Sequence, residues 1–113
     1  MTKEDLIKEF DKLQEKFGSA TCNSVYGGGK DNNPVLCLVF MNPTAKNIAT
    51  SKDWKGIRSQ WLGTKQVWKF LTDVGLFDKD LNNQIQNMKP KDWSPEFCKK
   101  VYTEVAKQGL YIT

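Results

Sequence analysis

The hydrophobic positions near the start of the chain repeat with the period of an amphipathic helix. The members of this stripe are Leu6, Ile7, Phe10, Leu13 and Phe17. Residues 2–5 resemble a capping box at its start, and Gly18 supplies a stop. The opposite face mixes lysine and glutamate, whereas a membrane-surface helix has a basic face. The pattern therefore predicts a helix that packs its apolar face on the protein core.

A short apolar run follows a loop rich in glycine, asparagine and serine. Pro34 opens it, and residues 35–41 are all apolar and dense in residues that favour strands. Such a run predicts a strand buried on both faces, as in parallel sheets covered by helices. The expected fold class is therefore α/β.

The rest of the chain predicts two further helices, a helical turn and a second strand. Residues 64–75 carry Val67, Trp68, Leu71 and Val74 on one side. Residues 94–107 begin with the strong N-terminal signal Ser-Pro and carry an inner face of Phe97, Val101 and Val105. A helical turn is expected around 81–85, and residues 110–113 begin a second strand.

A chain of 113 residues allows one domain. One strand and a short second one are too few for a stable parallel sheet. Either the loops contain further strands, or the chain is the N-terminal part of something larger, and the second interpretation is favoured. We expect residues 1–113 to be a single, incomplete domain. It would supply the first strands and flanking helices of a three-layer α/β/α fold with a mostly parallel sheet.

Composition excludes several classes of enzyme. The chain has no histidine, which rules out Ser-His-Asp and Cys-His catalysis and His-ligated zinc. Its 17 basic and 13 acidic residues give a net charge of +4, which suits contact with a polyanion without establishing one.

The three cysteines, Cys22, Cys37 and Cys98, are an odd number without a CxxC pair. They are expected to be reduced, buried small hydrophobes, with no disulfide, metal or other cofactor. No apolar run approaches the roughly 18 residues that cross a bilayer. We therefore expect a cytoplasmic protein without membrane contact.

Two loops could carry chemistry. Residues 27–30 read Gly-Gly-Gly-Lys, but they precede the strand and lack the hydroxyl residue of a phosphate loop, so a flexible turn is predicted. The loop after the strand lies where open α/β sheets bind ligands. It interleaves aromatic residues with small polar and basic ones: Asn42, Thr44, Lys46, Asn47, Thr50, Ser51, Lys52, Trp54, Lys55, Arg58 and Trp61. This mixture is suited to nucleic-acid contact. On composition alone, however, a solvated loop whose tryptophans fold back on the core is slightly favoured, because mildly basic loops are common.

Three short motifs occur in a fixed order around this loop. Val25-Tyr26-Gly27-Gly28-Gly29 precedes the apolar run, Met41-Asn42-Pro43-Thr44 follows it, and residues 56–64 carry an aromatic residue and glycines before the next helix. Together they resemble the uracil-DNA glycosylase superfamily, over roughly residues 20–113. The resemblance implies an enzyme of DNA repair that removes uracil by base excision.

The resemblance assigns roles to particular residues. Met41-Asn42-Pro43 looks like the water-activating motif, so Asn42 would be catalytic. The substrate-binding residues would be Met41, Pro43, Thr44 and Trp61, with Trp61 stacking on the flipped base. Contacts to DNA would come from Lys46, Asn47, Lys52, Lys55 and Arg58.

The same resemblance limits the expected activity. Residues 111–113 resemble the strand that leads into the family's base-reading asparagine, which this chain does not reach, and the family's histidine-bearing loop is also missing. We therefore expect a uracil-DNA glycosylase-like hydrolase that is weak or inactive as this chain alone, with uracil-containing single- or double-stranded DNA as its partner. Two alternatives remain: a non-catalytic nucleic-acid-binding relative, and a structural half completed by another chain, as in a homodimer.

Overall fold

A computed structural model describes residues 2–18, 21–40, 47–59 and 62–113. Its helices are α1 (Lys3–Phe17), α2 (Lys65–Asp73), α3 (Lys79–Gln86) and α4 (Pro95–Lys107). Its strands are β1 (Gly28–Gly29), β2 (Leu36–Leu38) and β3 (Leu110–Ile112). Short 3-10 turns at Ile48–Thr50 and Pro90–Asp92 complete the described elements. The predicted helices and strands are confirmed. β1 lies in the loop before β2, as the less favoured alternative of further strands in the loops allowed.

The three strands form one mixed sheet with the order β1-β3-β2. β2 runs parallel to β3, with Cys37 opposite Tyr111, and β1 runs antiparallel to β3, with Gly28 opposite Ile112. Helices together with a small mixed sheet are compatible with the predicted α/β class.

β2 is an edge strand in the described part of the chain, so the prediction of burial on both faces is wrong there. Successive side chains of a strand point to opposite faces. Leu38 and Phe40 lie partly buried against the core, whereas Val35 is 85% exposed and Val39 is 76% exposed. Cys37, expected to be buried, is exposed for the same reason.

The glycine run is a strand and not the predicted flexible turn. Gly27 has a φ of +108°, and a Cβ atom added there would lie 2.5 Å from the carbonyl oxygen of Ile112. At Gly28 an added Cβ would lie 2.8 Å from the Tyr102 ring. The absence of side chains therefore lets this segment pack directly on β3 and α4.

The core lies between the sheet and helices α2 to α4. Trp68 is fully buried at its centre, with ring centroids 5.2 Å from Phe77, 6.4 Å from Trp93 and 5.9 Å from Tyr102. Its indole N–H donates to the carbonyl of Leu62 at 3.0 Å, so the buried polar atom is satisfied.

The predicted inner faces of α2 and α4 are largely confirmed. Trp68, Leu71, Val101 and Val105 are all buried. Val74, also expected to face inward, is about half exposed because it is the C-cap residue, beyond the last turn of α2.

α1 begins with the predicted capping box, in which the Asp5 N–H donates to the Thr2 hydroxyl oxygen and the Thr2 N–H donates to the Asp5 carboxylate. None of its residues is buried, however, so the prediction of a core-facing helix is wrong. The physical reason is that α1 meets the rest of the protein mainly at its edge, through the contacts of Asp11 with Ser24 and Arg58 and the stacking of Phe10 on Tyr26 with ring centroids 6.1 Å apart. Within the described ranges, no helix is both long enough and apolar enough to cross a membrane.

Candidate nucleic-acid interface at the ends of β2 and β3

The parallel pairing of β2 and β3 brings their carboxyl ends together. The Phe40 N–H donates to the Thr113 carbonyl at 2.8 Å, and the Thr113 N–H donates to the Leu38 carbonyl at 2.8 Å. Phe40 therefore lies beside the end of β3. This edge is the position at which open α/β sheets bind their ligands.

Several predicted site residues are not among those that the structure describes. They are Met41, Asn42, Pro43, Thr44, Lys46 and Trp61. The structure thus describes the approach to the Met-Asn-Pro motif. Its predicted catalytic and substrate-binding roles stay predictions.

Tyr26, which precedes β1, is hydrogen-bonded to the end of β3. Its carbonyl accepts hydrogen bonds from the Tyr111 hydroxyl at 3.1 Å and from the Thr113 hydroxyl at 3.2 Å. Burial raises the pKa of the Tyr111 hydroxyl, which keeps this donor protonated at neutral pH. The ends of β2 and β3 and the segment before β1 are therefore held together by hydrogen bonds.

Arg58 lies beside Tyr26. Its carbonyl accepts from the N–H groups of Tyr26 at 3.1 Å and Gly27 at 3.0 Å. Its guanidinium donates to the Asp11 carboxylate at 2.7 Å and lies 6.0 Å from the centre of the Tyr26 ring. The structure therefore brings this predicted DNA contact to the carboxyl edge, but with its charge paired to a carboxylate.

The surroundings of Asp11 favour the charged form of its carboxyl group. Burial acts to raise the pKa of its carboxyl group, but hydrogen bonds from Ser24 and Arg58 and the nearby charges of Arg58 and Lys52 outweigh that effect. The pKa therefore lies below its usual range, and the carboxylate is ionised at neutral pH. Lys52 is thus also brought close to the ion pair.

Asn47, the second described member of the predicted DNA contacts, has a structural role. Its side-chain oxygen accepts from the Ala49 N–H at 3.0 Å, which caps the 3-10 turn. The Asn23 side chain fixes the same turn by donating to the carbonyls of Ala49 at 3.3 Å and Ser51 at 2.6 Å. The predicted loop is therefore ordered here by its contacts with residues 22–24.

Lys52 and Lys55 are the predicted DNA contacts that remain open to solvent. Both are exposed, and within the described ranges neither forms an ion pair. Trp54 between them donates its indole N–H to the Ile57 carbonyl at 2.9 Å and packs partly buried against the core. This tryptophan folds back on the protein, as the alternative interpretation of the loop expected.

Asp11 is the residue of this edge that sequence reasoning missed. It lies in α1, 47 positions before Arg58. Its spacing within the helix gives no signal of this contact, since only the fold brings the two charges together.

The described part of the edge can supply electrostatic contacts. The lysines can neutralise phosphates. The carboxylate of Asp11 is ionised and accepts two hydrogen bonds, so it is unsuited to act as a general acid. Within the described ranges, no three side chains converge as metal ligands would.

The chain matches no protein-family model, no curated protein and no solved structure at a significant level.

Proposed function

We propose that the protein is a uracil-DNA glycosylase-like hydrolase that cleaves the N-glycosidic bond of uracil in DNA. The observation that supports this proposal is the parallel pairing of β2 with β3, with the Phe40 N–H bonded to the Thr113 carbonyl. The described part of this segment ends at Phe40, at the carboxyl end of the parallel strands, where open α/β sheets bind their ligands, and Met41-Asn42-Pro43 follows it in the sequence. In this proposal the sheet is part of a larger, mostly parallel one in a three-layer α/β/α fold, and the enzyme is cytoplasmic.

The proposed reaction takes place on a base extruded from the DNA stack. Cleavage passes through an oxocarbenium-like sugar, as in other glycosyl transfers. Asn42 is a neutral amide and therefore no strong base, so its role is to hold the attacking water at the anomeric carbon. Met41, Pro43 and Thr44 would line the pocket, and Trp61 would stack on the base.

The leaving uracil anion needs hydrogen-bond donors to stabilise its charge. In the resembled family these donors lie chiefly beyond the segment that residues 1–113 match. We therefore propose that residues 1–113 alone are weak or inactive. Quantitative uracil release by residues 1–113 would contradict this part of the proposal without affecting the role of Asn42.

The described residues that support DNA contact are exposed lysines. Lys52 and Lys55 can approach phosphates without breaking a described ion pair. Arg58 would first have to leave Asp11, and Asn47 would contact DNA while capping its turn. Lys46 would extend this basic surface.

The experiment is a single-turnover assay of uracil release by the natural full-length protein, read out as alkali-labile abasic sites. Asn42→Ala should slow release by at least about 100-fold while leaving DNA affinity nearly unchanged, since the amide positions water and not DNA. Asn83→Ala, on the exposed surface of α3, is the matched control. Salt-dependent DNA binding with no abasic product would instead select a non-catalytic nucleic-acid-binding relative.

The exposed edge of β2 favours a second candidate, a structural half whose sheet is completed by a strand of another chain. In the described part of the protein, β2 pairs only with β3, and Val35 and Val39 are largely exposed. Unpaired edge strands are templates for strand addition. Cys37, exposed on β2, is a reporter: a thiol cross-link through it that forms in the native protein would support this candidate. A monomer that binds no partner would count against it.

A further inference from the structure

α1 presents an apolar seam with the spacing of a coiled coil. Leu6, Phe10, Leu13 and Phe17 follow one another at intervals of four, three and four residues, which is the alternation of d and a positions in a heptad. Their side chains remain 46%, 44%, 51% and 74% exposed, respectively. The seam stays partly open: the neighbouring side of the helix, with Asp11, makes polar contacts to the rest of the chain, and Phe10 of the seam stacks on Tyr26 with ring centroids 6.1 Å apart.

We propose that this seam binds α1 of a second copy of the protein in an antiparallel helix pair. Antiparallel pairing about the middle of the seam places Leu6 opposite the second copy's Phe17, and Phe10 opposite the second copy's Leu13. Each layer then joins one leucine and one phenylalanine. The two copies use the same surface, as a two-fold symmetric interface requires.

Charge complementarity selects the second copy as the occupant. Glu9 and Lys16 both occupy the g position, on the flank of the seam that faces away from the rest of the chain. In the antiparallel pair Glu9 faces the second copy's Lys16, and Lys16 faces the second copy's Glu9. A parallel pair would instead place Glu9 against the neutral Gln14.

The contacts that these two charges already make are weak enough to be exchanged. Glu9 accepts a hydrogen bond from exposed Lys12 at 3.0 Å, and the Lys16 ammonium lies 5.1 Å from the centre of the Phe17 ring. Such exposed pairs contribute little to stability. The other flank of the seam, at Ile7 and Gln14, is partly buried against the protein. The flank with Glu9 and Lys16 is exposed and can therefore contact the second copy.

The interface is small, so the association should depend on concentration. The 15 residues of α1 span about 22 Å, which accommodates two heptads. An interface of this size is typical of weak or transient contacts. The proposal does not depend on the proposed glycosylase activity.

Sedimentation equilibrium from micromolar to submillimolar concentrations tests the pairing. The unsubstituted chain should show a reversible monomer–dimer equilibrium. Leu13→Lys, which places a charge in the seam of both copies, should raise the dissociation constant at least about tenfold. Circular dichroism verifies that α1 stays helical. This is expected, because no residue of α1 is buried and the substitution therefore disrupts no core packing.

Charge reversal tests the antiparallel orientation. Glu9→Lys and Lys16→Glu each place like charges opposite one another, and each should weaken the dimer by about tenfold. Mixing the two variants should restore association, because every facing pair is then opposite in charge. Lys8→Glu and Glu15→Lys are matched controls at the outward f positions of the heptad, and they should leave the dissociation constant unchanged.

Three results would overturn the proposal. The first is a monomer throughout the concentration range, which would leave the seam to another partner. The second is a dimer unaffected by Leu13→Lys, which would be built on another surface such as the β2 edge. The third is a mixture of the two charge variants that associates no better than either variant alone.

Discussion

The Arg58 guanidinium donates a 2.7 Å hydrogen bond to the Asp11 carboxylate and thereby ties α1 to the edge where β2 and β3 end. The Ser24 hydroxyl donates to the same carboxylate at 2.7 Å. Because α1 has no buried residue, these polar contacts and the stacking of Phe10 on Tyr26 attach it to the rest of the protein. They also occupy the one arginine of the chain, which the sequence assigns to DNA contact.

The ion pair predicts a dependence of stability on pH. The folded-state pKa of Asp11 lies below the ordinary 3.8, so its contribution is complete above that pH and is lost as the pH falls through the folded-state pKa. Asp11→Asn should lower the free energy of unfolding by about 0.5–1 kcal/mol at neutral pH, a modest value because the Asp11 side chain is 41% exposed. Urea unfolding at pH 7 and at acid pH measures the difference, which should shrink below about pH 4. A difference that stays constant with pH would assign the effect to something other than the charge.

The same pair predicts that Asp11 limits DNA binding. Asp11→Asn should raise the affinity for a DNA duplex about threefold to tenfold, because the released guanidinium can contact a phosphate. Glu15→Gln removes the same charge from the exposed surface of α1 and is the matched control. Fluorescence anisotropy at several salt concentrations measures the affinity. An equal increase of DNA affinity in the two variants would show that only net charge matters and that Arg58 does not contact DNA.

The close packing of β1 predicts that alanine substitutions at two glycines lower the free energy of unfolding by different amounts. Gly29→Ala would place a Cβ against the Leu110 carbonyl and 2.9 Å from a Val105 methyl carbon, at a φ of +116°. This substitution should lower the free energy of unfolding by at least about 2 kcal/mol, since both the packing and the backbone would be strained. Gly75→Ala, at a φ of +82° with open space around it, should cost only about 1 kcal/mol. Equal losses in thermal or urea unfolding would contradict the close packing of β1 on β3.

Local sequence signals predicted the elements well because their causes lie within a few residues. The Ser94-Pro95 signal marks the start of α4, and the Ser94 hydroxyl accepts from the Phe97 N–H as an N-cap should. The α2 prediction of 64–75 exceeds the observed Lys65–Asp73 only at its ends. These boundaries depend on caps and periodicity, which are visible in the sequence.

Burial and long-range contacts could not be predicted in this way. An apolar run such as residues 35–39 has the same composition whether neighbours cover it or not, and as an edge strand it is mostly uncovered. The glycine run becomes a strand only through β3, more than 80 positions later. The sequence analysis identified the loop that carries Arg58, but it could not identify Asp11 as the partner of Arg58, because only the fold brings these two distant residues together.

The most direct test of the central proposal is single-turnover uracil release by the natural full-length protein, compared with its Asn42→Ala variant. If the proposal holds, abasic product forms at least about 100 times more slowly in the variant, at nearly equal DNA affinity. Equal rates in the two proteins, or no abasic product from the unsubstituted protein, would contradict it.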